Sequence, residues 1–173
     1  MIKGDSLVYM SMMEDDSFDL VLTDPPYSTF PLINDSIREA RRVSKGASLY
    51  FMYADDIFDL EQRPDQILFW NKPPSTKNTI RRYSRFTEVI ACYDLDRSPF
   101  NQDTHWTSRS GTFSDSFAGK IVHPFQKPIS LLEKLLVVNS SPGDWVLDPF
   151  AGSCSVERAC MLIDRHCLSI EIK

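Results

Sequence analysis

The chain has 173 residues, a normal length for one domain, with 42% hydrophobic and 25% charged residues, the balance of a soluble globular protein. No apolar run is long enough to span a bilayer, and Met1-Ile2-Lys3-Gly4-Asp5 lacks the apolar core of a signal peptide, so a cytoplasmic protein is expected. The net charge of −5 does not advertise nucleic-acid binding, although the placement of basic residues matters more than their total.

In chain order, Asp5 can cap a short helix over Ser6 to Met13. Phe18 to Thr23 reads as a buried strand that stops at Asp24-Pro25-Pro26-Tyr27, where the prolines forbid a continuing ladder. From Leu32 to Val43, Ile33, Ile37 and Ala40 recur at helical spacing, and Lys45-Gly46 ends that helix. Strands are expected over Ala47 to Ala54, Gln66 to Trp70 and Glu88 to Leu95. Between the last two lies a basic, proline-bearing stretch from Lys72 to Arg85. Residues 96–122 are polar and aperiodic and read as a long loop or small insertion. A helix over Ile129 to Val138 follows Pro128, then a strand over Trp145 to Leu147 ending at Asp148. A helix from about Ser153 to Ile163 and a strand from His166 to Ile172 complete the pattern. Short strands alternating with amphipathic helices predict an α/β sheet in a single domain over 1–173.

Cys92, Cys154, Cys160 and Cys167 form no CxxC pair, and His105, His123 and His166 are scattered. Reduced thiols and no metal site are expected.

Three segments carry candidate chemistry. Asp24 to Tyr27 sits at the carboxyl end of a strand, where ligands bind in open α/β sheets. An exocyclic base amine is a weak nucleophile because its lone pair is delocalised into the ring. An acceptor at Asp24 and a rigid carbonyl at Pro25 can hold its N–H groups and favour a tetrahedral nitrogen. Tyr27 offers a π-face to an extruded base. A plain strand-to-turn junction would give the same letters. Asp148-Pro149-Phe150-Ala151-Gly152-Ser153 also ends a strand and opens a helix, and its small residues let backbone N–H groups approach a ligand; a capped tight turn reads alike. Glu171, about twenty positions beyond that turn, suits ribose hydroxyls, though an acidic residue near a terminus is common.

Together with His123-Pro124-Phe125-Gln126-Lys127-Pro128, these segments resemble the permuted group of DNA amino-methyltransferases, in which the catalytic motif precedes the cofactor motif. The family's order is a DPPY-type tetrapeptide, then HPxQKP, then DPFxGSG, and the same order stands here. The resemblance covers nearly the whole chain, and it is the joint order and spacing that is specific. It implies a Rossmann-like, mostly parallel sheet between helices, circularly permuted. S-adenosylmethionine would be the cofactor, DNA the partner, and N6 of adenine the methylated atom. N4 of cytosine uses the same geometry, and a relative that binds without turnover is a third reading. The resemblance gives catalysis to Asp24, Pro25, Pro26 and Tyr27. It gives cofactor contacts to Asp5, Asp24, His123, Lys127, Asp148, Phe150, Ala151, Gly152, Ser153 and Glu171, with Asp5 near the adenine and Lys127 near the methionine end. It also implies that the first and last strands are neighbours.

Some features depart from the family's pattern. Cys154 stands where a second glycine is usual; it either starts the helix without penalty or carries a left-handed backbone at a cost. The segment available to read base edges is short, which leaves Lys77, Arg81, Arg82 and Arg85 as candidate phosphate contacts, or simply a solvated basic loop. Relatives continue beyond the last strand with a covering helix, so an apolar face and a homodimer are further expectations.

Overall fold

Strand alternation decides the layering. The computed structural model describes residues 1–72, 87–99, 127–172 and the backbone of 112–114. Its strands are β1 (Ile2–Lys3), β2 (Leu20–Thr23), β3 (Ser48–Tyr53), β4 (Gln66–Asn71), β5 (Thr87–Tyr93), β6 (Thr112–Ser114), β7 (Trp145–Asp148) and β8 (His166–Glu171). Its helices are α1 (Ser6–Ser11), α2 (Leu32–Val43), α3 (Ile129–Asn139) and α4 (Ser155–Leu162). Along β2, β3 and β5, Leu20, Leu22, Leu49, Phe51, Ile90 and Cys92 face one side and pack against Leu131, Leu135, Val156 and Ala159 of α3 and α4. Val21, Tyr50, Met52, Val89, Ala91 and Tyr93 face the other and pack against Met10, Ile33, Ile37 and Ala40 of α1 and α2. A period of two along each strand therefore builds two cores, one on each face of a single sheet.

The sheet has eight strands in the order β1-β8-β7-β2-β3-β5-β4-β6. From β1 through β3 all neighbours are parallel, β5 runs antiparallel to both β3 and β4, and β6 adds parallel to β4. The architecture is thus the mostly parallel α/β sheet with helices on both faces that the sequence predicts. The two ends of the chain meet in hydrogen bonds: Ile2 pairs with Ile170 and Lys3 with Glu171, and the Gly4 N–H donates to the Glu171 carbonyl at 2.9 Å. First and last strands are adjacent, as the motif order implies.

Several boundaries differ from expectation. The helix capped by Asp5 is two residues shorter, ending at Ser11. The last helix starts at Ser155 rather than Ser153, because Gly152 and Cys154 both take positive φ and hold the turn out of helical geometry. The interval 96–122, read as a loop, contains the end of a 3-10 turn over Leu95–Arg97 and the strand β6. Three residues are too few to show a period, and β6 exists through pairing with β4 at the sheet edge.

Tight connection of α2 to β3 depends on Gly46. A Cβ there would collide with the Asp19 carbonyl oxygen and lie 3.1 Å from Ser98 Oγ. Backbone, not a flexible side-chain tip, would have to yield. Gly46→Ala is therefore expected to destabilise by about 1–3 kcal/mol, the usual cost of overpacking. Equilibrium denaturation should show a lower midpoint at unchanged slope, and an unchanged midpoint would refute the argument.

Candidate active site

Parallel pairing of β2 with β7 builds the site. Leu20 pairs with Val146 and Val21 with Leu147, so both strands release their chains at the same sheet edge. Asp24 follows β2 directly and Asp148 is the last residue of β7. The junction is tied by Thr23 Oγ1, which donates to Asp148 Oδ1 at 2.7 Å; the Phe150 N–H donates to the same oxygen at 3.2 Å. Burial pushes the Asp148 carboxyl up to about 7, with both hydrogen bonds pulling the other way.

A cavity of about 960 Å³ opens over this edge. Asp24, Pro25, Pro26, Tyr27 and Lys127 line it, and so do Asp148, Phe150, Ala151, Gly152, Ser153 and Glu171. The tetrapeptide near one end of the chain and the glycine turn near the other thus meet in one cleft. Glu171 holds the turn: its Oε2 accepts the Gly152 N–H at 2.7 Å, and its Oε1 accepts the Ile172 N–H at 3.1 Å. The Ala151 N–H bonds the Ile170 carbonyl at 2.9 Å, and Ser6 Oγ donates to the Pro149 carbonyl. Gly152 has φ +47°, and a Cβ built on it would meet nothing nearer than the Phe150 carbonyl at 4.0 Å. The space above this turn is open, as a cradle for a ligand requires. Phe150 beside it supplies an aromatic face and Glu171 a carboxylate, a donor set that fits the adenosine part of S-adenosylmethionine.

The catalytic half is more heavily charged. Lys127 Nζ donates to Asp24 Oδ2 at 2.6 Å and lies 3.2 Å from Glu88 Oε2. It also stands 5.1 Å from the ring centroids of Tyr27 and Phe51 and 5.9 Å from that of Trp70. Tyr27 OH donates to Glu88 Oε2 at 2.9 Å, and Lys72 Nζ donates to Glu88 Oε1 at 2.6 Å. The Tyr27 ring meets Tyr53 edge-on, at 4.4 Å and 78°. Burial raises the Asp24 carboxyl above the ordinary carboxylate range, and Lys127 only partly restores it. Burial also tends to raise Glu88, but Lys127, Lys72 and Tyr27 outweigh it and hold that carboxyl low. The Tyr27 phenol is pushed up by burial and by both carboxylates, so it stays a donor. Asp24 Oδ1 is buried and has no hydrogen-bond partner among the described residues.

One expected cofactor contact, Asp5, lies outside the cavity. The Asp5 carboxylate caps α1, accepting the N–H groups of Leu7 and Val8 at 2.9 and 3.3 Å, and does not line the cavity. An aspartate before Ser-Leu-Val is an N-cap signal as much as a ligand signal. Lys127 lines the cavity but turns its ammonium to Asp24 and Glu88. His123, Lys77, Arg81, Arg82 and Arg85 lie outside the described residues. Sequence reasoning missed Glu88, Trp70, Phe51 and Tyr53. Each sits inside a strand pattern, and only the strand order brings them to this edge.

The fold and the site together define an S-adenosylmethionine-dependent methyltransferase. The profile of the N6/N4 DNA methylase family matches residues 30–173, and the chain belongs to that family. It is 24% identical to the type II methyltransferase M2.MboI of Moraxella bovis, over 98% of this chain and 81% of that protein. It is 25% identical to the DNA adenine methyltransferase YhdJ of Escherichia coli K12, over 99% of this chain and 77% of that one. The crystal structure of M1.HpyAVI with S-adenosylmethionine superposes with a TM-score of 0.76 at 26% identity, covering 100% of this chain and 94% of that chain.

Cys154 is both the N-cap of α4 and left-handed, at φ 56° and ψ 33°. The reading without penalty is thereby corrected: Cys154 does start the helix, but in a conformation that costs a Cβ-bearing residue about 1–2 kcal/mol. Cys154→Gly removes that cost but adds chain entropy of about 0.5–1 kcal/mol to unfold. A net gain of about 0.5–1 kcal/mol is expected, with tighter cofactor binding by calorimetry. Identical melting temperature and dissociation constant would show that the turn holds Cys154 without strain.

Proposed function

We propose that this protein transfers the methyl group of S-adenosylmethionine to the exocyclic amine of an extruded DNA base, N6 of adenine in particular. The observation that carries the reading is Asp24. It presents a buried carboxylate oxygen without a partner among the described residues, in a cleft shared by Tyr27 and the Gly152 turn. A buried acceptor left open costs about 1–3 kcal/mol, a cost expected where a ligand supplies the missing donor. The target amine is such a donor.

When bound, the cofactor supplies an electrophilic methyl on a sulfonium. Phe150, Gly152 and Glu171 would hold its adenosine part. The chain's remaining work lies on the nucleophile. Asp24 accepts one N–H and the Pro25 carbonyl accepts the other, which draws the nitrogen toward tetrahedral geometry and frees its lone pair. The nitrogen so held would be the nucleophile toward that methyl, and the Asp24 carboxylate is placed to take the proton the nitrogen then gives up. Tyr27 stacks on the base and stabilises the transient positive charge with its π-face.

Adenine is favoured over cytosine because aspartate opens the tetrapeptide, where many N4-cytosine enzymes resemble it with serine. The adenine specificity in YhdJ's name agrees with this. Lys77, Arg81, Arg82 and Arg85 would supply phosphate contacts, and a homodimer would extend the short recognition segment.

The test is incubation with unmethylated DNA and labelled cofactor, digestion, and mass spectrometry of the nucleosides. N6-methylated deoxyadenosine is expected, and Asp24→Ala should reduce it by at least about 10³-fold while the melting temperature stays within a few degrees. Because Asp24 must be ionised and burial raises its carboxyl, activity should fail on the acid side above the ordinary carboxylate range. N4-methylated deoxycytidine would redirect the base assignment, and no methylated nucleoside from the wild-type protein would refute the reaction.

A further inference from the structure

Glu88 belongs to none of the motifs that point to the reaction, yet it organises the catalytic half of the cleft. It lies near the start of β5, the strand that runs against its neighbours. The ladder seats it opposite Tyr53 of β3 on one side and Trp70 of β4 on the other. Its side chain is 8% exposed. Both oxygens are engaged: Oε1 with Lys72 at 2.6 Å, and Oε2 with the Tyr27 hydroxyl at 2.9 Å and with Lys127 at 3.2 Å.

One ammonium is thus divided between two carboxylates, since Lys127 also donates to Asp24 Oδ2 at 2.6 Å. A lysine paired with Asp24 alone would concentrate its charge there and weaken the carboxylate as an acceptor for a neutral amine. A lysine absent altogether would leave a buried carboxylate free to take up a proton. Sharing gives the intermediate condition. The same glutamate tethers the Tyr27 hydroxyl while the ring packs T-shaped with Tyr53. Stability is a poor reason for such a cluster, because buried ion pairs are commonly no better than apolar residues of the same volume.

We infer that Glu88 is a positioning residue for methyl transfer: it sets how strongly Lys127 engages Asp24, and it fixes the plane of the Tyr27 ring. The inference rests on the amine-methylation reading above. It adds that acceptor strength at Asp24 is tuned through Lys127 by a carboxylate whose two oxygens are already engaged by Lys72, Tyr27 and Lys127. The groups facing Asp24 are Lys127 and Tyr27, with Glu88 and Asp148 acting across the cleft and Lys72 behind Glu88.

The test is single-turnover methylation of DNA against pH, with cofactor binding measured by calorimetry. Glu88→Gln keeps the shape and still accepts the Tyr27 hydroxyl, but loses the charge. Lys127 then falls wholly to Asp24. The plateau rate should drop by roughly 10- to 100-fold, the scale on which small misplacements act. The acid limb should move to lower pH, and the cofactor dissociation constant should stay within about twofold. Glu88→Asp, which keeps the charge, should recover part of the rate. Lys72→Met should act in the opposite sense, because Glu88 then draws Lys127 away from Asp24 and the acid limb moves to higher pH. An unmoved acid limb in Glu88→Gln overturns the inference, as does a rate loss matched by an equal loss of cofactor affinity and thermal stability. If Glu88→Gln does not fold, Lys72→Met decides alone, and an unmoved limb there overturns it. A wild-type protein that methylates no base would instead overturn the reaction, before Glu88 comes into question.

Discussion

The structure depends on the parallel contact between β2 and β7. Leu20 and Val21 are separated from Val146 and Leu147 by most of the chain, yet their pairing fixes where both functional motifs emerge. Side-chain period two then does the rest: the apolar residues of β2 are all consumed by the two cores, so the chain must leave the sheet at Asp24, and Asp148 is carried to the same edge. The Thr23–Asp148 hydrogen bond locks the junction with partners buried to 0% and 2% exposure. A buried hydroxyl that satisfies a buried carboxylate is worth more than a surface bond, because each group would otherwise carry an unmet desolvation cost. Strand order alone thus brings the tetrapeptide and the glycine turn to one cleft.

Permutation is compatible with this because a sheet edge does not record chain order. Glu171 reaches the glycine turn from β8, and β1 completes the edge beside it through the bond from Gly4 to the Glu171 carbonyl. Ser6 at the start of α1 closes the same corner by bonding the Pro149 carbonyl. The first residues of the chain therefore support the turn that lies near its last ones. This also accounts for Asp5. Its carboxylate caps α1, the helix whose Ser6 braces the turn after β7.

Much of this was legible in the sequence, for identifiable reasons. The α2 limits, Leu32 to Val43, follow from the spacing of Ile33, Ile37 and Ala40, and the structure reproduces them. Asp24 to Tyr27 and Asp148 to Ser153 were legible as candidates because open α/β sheets form their clefts at the carboxyl ends of strands, and both segments line one cavity. Glu88 was not legible. A glutamate at the start of Thr-Glu-Val-Ile-Ala-Cys-Tyr reads as the polar edge of an apolar strand, and nothing local says the strand runs antiparallel. Had β5 been parallel, Glu88 would lie at the opposite edge of the sheet. The partners of the Lys127 ammonium were not legible for a related reason: a motif says which residue lines a cleft, but the direction of a long side chain is set by the charges it finds there.

Those charges close the argument about why the cleft is polar at all. Asp24 and Glu88 balance Lys72 and Lys127, so the group is electrically neutral, and only Lys72 and Asp24 keep appreciable contact with solvent. Burying one of these ions alone would cost several kcal/mol. Lys127 offsets its own cost through two carboxylates and the faces of Tyr27, Phe51 and Trp70, each such face contributing about 0.5–2 kcal/mol. Two further carboxyl groups, Asp148 and Glu171, line the same cavity, so the two lysines satisfy Asp24 and Glu88 without neutralising the cleft as a whole.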